Sequence, residues 1–467
     1  MEDKFRDECG VFGIYSSEVD VSHATYLGLY ALQHRGQEST GIAVSDGNHI
    51  AHYKGMGLVQ RVFDEDVLQK LKGTVAIGHV RYSTSGESRI ENAQPAVVQY
   101  KKGMLAVAHN GNLVNAKKLK KELEDEGSIF QTTVDSEVII HLIARSKKKN
   151  FREAVVEALQ KVEGAYSLVL MTNDEVIGVR DPSAFRPLCI GTIEESYCIA
   201  SESCALDQIG AQYIRSVEPN EMVVINKDGL TSYPLNQESK TSKCIFELIY
   251  LARPDSVVFD KSVYLTRREF GKTLAKRMPV DADLVIPVPD SGIPAAIGYS
   301  EESGIPYDMG LLRNHYVGRT FIQPGQYFRT SKVRIKLSPV SEMIKGKRVV
   351  VVDDSIVRGT TSREIVRMLR NAGAKEIHLL SSSPPINYPC YYGIDTPNRK
   401  ELLAAIYDND MEKIREYLGA DSVGYLQIDD LLKVMGTDYK EYCLACFDGD
   451  YPISPSDFLQ GQTAKKC

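Results

Sequence analysis

The run VVVVDDSIVRGTT, residues 349–361, decides how the C-terminal half of this chain reads. Four consecutive valines mark a strand buried on both faces, and they deliver Asp353 and Asp354 to its carboxyl end. A compact loop through Ser355 and Arg358 then opens the helical segment TSREIVRMLRNAGA, with Gly373 as its stop. Exposed N–H groups at a helix N-terminus, the hydroxyls of Thr360 and Thr361, and the close approach that Gly359 permits make a phosphate cradle. Two carboxylates beside such a cradle suit ribose hydroxyls or a magnesium ion.

Working outward, ADLVIPVPDSG and KEIHLLSSS read as further buried strands. Strands alternating with helices predict a doubly wound α/β unit, whose ligands gather at the carboxyl ends of the strands. Ser291 in VPDSG falls at one such end. Between Leu311 and Ser341 lie Arg313, Arg319, Arg329, Lys332, Arg334 and Lys336, with no acidic residue among them. A glycine-punctuated basic loop of that length is expected to close over an anion, with nucleic acid as the competing ligand.

The N-terminal half has a different pattern. GVFGIY, TGIAVSD, AIGHVRYS, MLAVAHNG, AYSLVLMT, EVIGVRD, YCIASE and EMVVINKDG are short β-type runs, with helices expected in LVNAKKLKKELEDEG and VDSEVIIHLIARSKKK. This predicts an α+β sandwich. The polar stretch NQESKTSK, residues 236–243, is the expected linker, and the tail from about Lys400 reads as helices.

Composition narrows the function classes. A net charge of -6 argues against a protein that coats nucleic acid, and no apolar run is long enough to span a bilayer, so a cytoplasmic protein is expected. Nine cysteines in 467 residues are too sparse for a disulfide scaffold and point to reduced thiols, a metal site or a nucleophile. The octapeptide MEDKFRDE before Cys9 has six charged residues and none of the parts of a secretory signal. It reads as a removable leader.

VVVVDDSIVRGTT resembles the phosphoribosyl diphosphate signature of the type I phosphoribosyltransferases. That resemblance assigns Asp353, Asp354, Ser355, Arg358, Gly359, Thr360 and Thr361, with Arg319 and Lys336 from the basic loop, to the sugar diphosphate, and Ser291, Asp353 and Asp354 to magnesium. In the first half CGVFGI, LQHRGQES, GHVRYST, AHNGNL and TTVDSE follow one another in the order found in the glutaminase domain of the N-terminal-nucleophile amidotransferases. The resemblance implies that Cys9 attacks the glutamine amide, that the Asn110 side chain and the Gly111 N–H receive the oxyanion, and that Arg81 and Asp135 hold the two charged ends of glutamine, with Arg35 helping to shape the pocket. Once residues 1–8 are gone, Cys9 owns an α-amine of intrinsic pKa about 8, which can serve as base toward its own thiol.

Joined, the halves resemble the glutamine phosphoribosyl diphosphate amidotransferase family across nearly the whole chain. The implied organisation is a leader (1–8), an α+β N-terminal-nucleophile glutaminase sandwich (9–235) and an α/β type I phosphoribosyltransferase domain with a helical tail (244–467). The implied reaction gives 5-phosphoribosylamine, the first committed step of purine synthesis; a phosphoribosyl diphosphate-binding regulatory protein without turnover is the alternative. The family also implies magnesium, an ammonia tunnel, a homo-oligomer, in particular a tetramer, and inhibition by purine nucleotides. Cys244, Cys390, Cys443 and Cys446 match the ligands of a [4Fe-4S] cluster in the branch that also carries a cleaved leader, with structural zinc as the alternative. One departure stands at Ala184 in RDPSAFRPL, where relatives usually have glycine. Cys189, Cys198, Cys204 and Cys467 receive no role.

Overall fold

The computed structural model describes residues 8–82, 87–238, 240–314, 335–396, 398–436, 441–455 and 457–458. Arg319 and most of the basic segment lie outside them. Thirteen strands form two antiparallel sheets: β1 Gly10–Tyr15, β2 Ser39–Ser45, β3 Ile50–Met56, β4 Val75–Arg81, β5 Ala96–Tyr100, β6 Gly103–Leu113, β7 Gly164–Met171, β8 Val176–Arg180, β9 Cys189–Ile193, β10 Ser196–Ala200, β11 Gln212–Ser216, β12 Glu221–Asn226 and β13 Gly229–Pro234. One sheet runs β11-β9-β10-β1-β4-β2-β3 and the other β13-β12-β8-β7-β6-β5.

Side chains alternate across each strand, and the alternation builds four layers. Val11 turns inward to meet Ile77, Ala106, Val169 and Val223 between the sheets. Phe12 and Ile14 turn outward under the helix Val21–Ala31. The outer face of the second sheet is covered by Ala116–Asp125, Glu137–Arg145 and Phe151–Leu159 through Leu119, Ile139 and Val155. Each large aliphatic side chain buried in this way contributes roughly 1.5–3 kcal/mol. In antiparallel register Gly10 faces Val80, so Cys9, just before β1, lies at the end of β4 that carries Arg81.

The second half is a parallel sheet in the order Leu284–Pro287, Arg348–Asp353, Glu376–Ser381, Ser422–Tyr425. Val350 and Val352 face Phe270, Leu274, Ala295 and Tyr299 on one side. Val349 and Val351 face Ile365, Leu369, Ile414 and Leu418 on the other. This two-sided burial is what the valine run encodes. The halves meet along a seam in which Phe185 stacks on Tyr392 at 4.3 Å, Asn112 donates to the Tyr391 carbonyl (2.8 Å), and Cys244 pairs in parallel register with Cys443. Among the described residues no helix is long and apolar enough to cross a membrane.

Candidate active sites at the two sheet ends

Cys9 is 8% exposed, its Sγ turned to the Tyr82 carbonyl at 3.5 Å. Burial pushes this thiol up to about 11, with Arg81 pulling it down and Glu8 and Asp135 pushing it further up. With residue 8 still attached, the nucleophile is therefore held protonated. Arg81 is itself buried and bonded to Glu38.

Across the sandwich, β6 presents Asn110 and Gly111. The Asn110 side chain is 1% exposed, and neither its oxygen nor its nitrogen has a hydrogen-bond partner among the described residues. A buried polar group left unmade typically costs about 1–3 kcal/mol, so the Asn110 amide is free to bond a ligand. Gly111 has φ +146, and a Cβ there would stand 2.1 Å from the Ala165 carbonyl oxygen, so only glycine fits. The strand is pinned beside them: the His109 N–H donates to Gln94 Oε1 (2.8 Å), and the His109 carbonyl is 3.0 Å from His79 Nε2. Burial pushes the His79 ring down to about 3, so it is neutral and donates from Nε2. This bond ties β4 to β6 at the Cys9 end of the sandwich. Gln94 and His79 were not legible as site residues. Their one sequence signal is a polar side chain at a position otherwise apolar.

Asp135 accepts from the Leu113 N–H (2.8 Å) and faces His109 Nδ1 at 3.6 Å. Against its burial, His109 and the Leu113 N–H hold its carboxyl below the usual range, so it is ionised and able to receive an ammonium group. Arg35 lies against Cys9: its guanidinium bonds the Cys9 carbonyl (3.0 Å), Glu8, Glu202 and Glu247.

In the second half, Asp353 and Asp354 are both 1% exposed at the end of their strand. Asp354 accepts from the Ser355 hydroxyl (2.6 Å) and from Ser291, and the Asp354 N–H donates to Asp353 (2.9 Å). Gly359, at φ 77, turns the loop into the helix Thr360–Asn371, whose N-terminus has no side-chain cap. Its first-turn N–H groups thus face the same place as the carboxylates. Arg358 is bonded to Glu401 at the rim, and Lys336 is half-buried next to the strand Leu337–Pro339. The loop and helix groups assigned to the sugar diphosphate, Asp353 through Thr361, thus stand with Ser291 at one sheet end.

Cys244, Cys390, Cys443 and Cys446 are free thiols in the seam. Burial raises the Cys446 thiol, and Cys244, Cys443 and Cys390 raise it further, so the four sulfurs lie within electrostatic reach of one another. Arg186 is the cation beside them, lowering Cys244 and Cys390 against their burial. Among the described residues no group of three or more His, Cys, Asp or Glu side chains is arranged to hold a metal ion.

One centre is built to attack an amide and the other to hold a phosphorylated sugar, and their union in one chain defines a glutamine-dependent transferase. Comparison with known proteins agrees: residues 79–208 match a glutamine amidotransferase domain and residues 271–383 a phosphoribosyl transferase domain. The chain is 53% identical to an amidophosphoribosyltransferase of Synechocystis, over 98% of this chain and 93% of that one. It is 50% identical to that of Bacillus subtilis, covering 96% and 94%. The solved structure of the B. subtilis glutamine phosphoribosylpyrophosphate amidotransferase with ADP and GMP superposes with a TM-score of 0.90 at 50% identity, covering 96% of this chain and 98% of that one. The chain belongs to the amidophosphoribosyltransferase family.

Proposed function

We propose that the chain transfers the side-chain nitrogen of glutamine to C1 of 5-phosphoribosyl 1-diphosphate, the first committed step of purine nucleotide synthesis. Glutamine, the sugar diphosphate and water become glutamate, diphosphate and 5-phosphoribosylamine. The family relationship supports this reading, and the unpartnered Asn110 amide on the strand facing the Cys9 end of the sandwich carries it. A regulatory protein that only bound the sugar diphosphate would have no use for that pair.

Residues 1–8 form a leader, followed by a glutaminase domain at 9–235 and a phosphoribosyltransferase domain at 244–467. Loss of the leader gives Cys9 its α-amine, whose ordinary pKa of about 8 suits a base at neutral pH. The thiolate attacks the amide carbon, the oxyanion moves toward the Asn110 amide and the Gly111 N–H, and the α-amine returns its proton to the leaving ammonia; water, deprotonated by the same amine, then adds to the glutamyl thioester, the C–S bond breaks, and glutamate leaves as the Cys9 thiol is restored. Arg81 receives the α-carboxylate by exchanging its bond to Glu38, and Asp135 receives the α-ammonium. Arg35 supports Cys9 at its carbonyl.

At the second centre the helix N-terminus with Ser355, Gly359, Thr360 and Thr361 holds phosphate oxygens, Asp353 and Asp354 hold ribose hydroxyls, and Arg358, Lys336 and Arg319 supply positive charge to the diphosphate. Ammonia then displaces diphosphate from C1. Asp353, Asp354 and Ser291 offer hard oxygen donors that suit magnesium, which would neutralise charge on the departing diphosphate. Cys244, Cys390, Cys443 and Cys446 are four soft donors at one seam, and by drawing together they would hold a [4Fe-4S] cluster that staples linker, sheet and tail. Relatives' structures described as an allosteric regulatory enzyme of purine biosynthesis and as a complex with ADP and GMP support inhibition by purine nucleotides; a cytoplasmic homo-oligomer, in particular a tetramer, completes the proposal.

The test is Cys9→Ala. Glutamine-dependent product should vanish while product made from free ammonia persists. Loss of both activities in a folded protein would refute the two-centre reading.

A further inference from the structure

Glu8 is the last residue of the leader, yet its carboxylate is 1% exposed. It ion-pairs with Arg35 Nη2 at 3.0 Å and with Arg186 Nη1. Both guanidiniums are anchored elsewhere: Arg186 Nε and Nη2 donate to the Tyr392 carbonyl (3.0 and 2.7 Å), and Arg35 Nε donates to the Cys9 carbonyl (3.0 Å). Arg35 thus grips the chain on both sides of one peptide bond, by the Glu8 side chain before it and the Cys9 carbonyl after it. That bond is the one whose hydrolysis frees Cys9.

The charges of the pocket point the same way. Two arginines face three carboxylates, Glu8, Glu202 and Glu247, with His34 and Ser256 also on Glu202. Burial pushes the Glu8 carboxyl well up, whereas Arg35 keeps Glu247 low in spite of its burial. The pocket thus holds Glu8 firmly enough to place it. An appendage with no role would leave a charged side chain in water.

From this geometry we infer that Glu8 is the recognition residue of leader removal, its carboxylate seated between Arg35 and Arg186 so that the Glu8–Cys9 bond is presented for hydrolysis. The inference rests on the proposed loss of residues 1–8. Water adds across that bond: the C–N bond breaks, a C–O bond forms, Glu8 departs as the C-terminal carboxylate of the octapeptide, and Cys9 gains its amine.

The experiment follows intact mass with time after a short pulse of expression in wild type, Glu8→Ala, Glu8→Lys and Glu8→Asp. Wild type should lose residues 1–8; the Ala and Lys variants should mature at least tenfold more slowly, and Asp should recover part of the rate. Ammonia-dependent activity should be equal in all four, because matured chains from every variant are the same molecule and leader-bearing chains keep the second centre. Maturation of the Ala and Lys variants at the wild-type rate would overturn the inference alone. A glutamine-active wild type that keeps its leader would overturn the leader reading with it.

Discussion

Replacing Gly111 with alanine tests the oxyanion site through a defined steric conflict. The added Cβ would sit 2.1 Å from the Ala165 carbonyl oxygen and 3.0 Å from His109 Nε2, at a φ of +146 that L-residues rarely adopt. Cβ atoms essentially never approach other atoms closer than 3.0 Å, so β6 and β7 must separate by at least 3.0 − 2.1 = 0.9 Å at this point. The backbone strain is of order 1–3 kcal/mol, and relaxing it swings the Gly111 N–H away from the developing oxyanion. Loss of one such donor lowers the rate about 10²–10³-fold, and a misplacement of about 1 Å alone is worth about 10²-fold. Glutamate release from glutamine should therefore fall by that factor, while diphosphate release with ammonium chloride as nitrogen source stays within about twofold of wild type. A folded Gly111→Ala enzyme that uses glutamine within about threefold of wild type would refute the role given to this position.

Three further outcomes are expected. A leader-bearing chain should resist iodoacetamide at Cys9 up to alkaline pH: with its thiol near 11, only about 0.1% is thiolate at pH 8, against about a quarter of an ordinary cysteine, so peptide mass mapping should show labelling rise between pH 9 and 11 and not between 7 and 9. Asp354→Asn keeps the shape that receives Ser291 and Ser355 but removes the charge; glutamine- and ammonia-dependent product should both fall by about a hundredfold or more with an unchanged melting curve. Ala184 holds φ 56, a left-handed turn that favours glycine; left-handed backbone costs an L-residue roughly 1–2 kcal/mol, so Ala184→Gly should melt no lower than wild type despite losing a buried methyl, whereas Ala184→Val should be destabilised by about 2 kcal/mol or more in urea titration.

What was legible in the chain follows from burial. β1, β4, β6, β7, β8, β10 and β12 are covered on both faces and so read as apolar runs. β3, β5, β11 and β13 are sheet edges with mixed burial, and their sequences carry no comparable pattern. The fourth parallel strand, Ser422–Tyr425, is too short to stand out within a tail that otherwise reads as helical. The helix Val21–Ala31 buries Ser22, Ala24, Thr25 and Gly28, small residues that draw no apolar stripe.

The sites divide in the same way. Asp353 and Asp354 were legible because a local strand-loop-helix pattern contains the whole cradle. Asn110 and Gly111 were legible through the order of motifs, but the pins on their strand were not, since Gln94 and His79 meet His109 only in the folded sandwich. Glu8 reads as one more charge in a charged leader. Its burial depends on Arg35 and Arg186, which lie 27 and 178 positions further along the chain. Arg35, expected to help shape the glutamine pocket, bonds the Cys9 carbonyl as well as Glu8, a pair of contacts that only the fold brings together.

The most direct test of the central claim is to incubate the matured protein with glutamine, magnesium and 5-phosphoribosyl 1-diphosphate and to count glutamate and diphosphate in the same tube. The expected result is equal release of the two, each falling away when the other substrate is omitted. Glutamate formed without diphosphate, or diphosphate formed at the same rate with neither glutamine nor ammonia present, would contradict it.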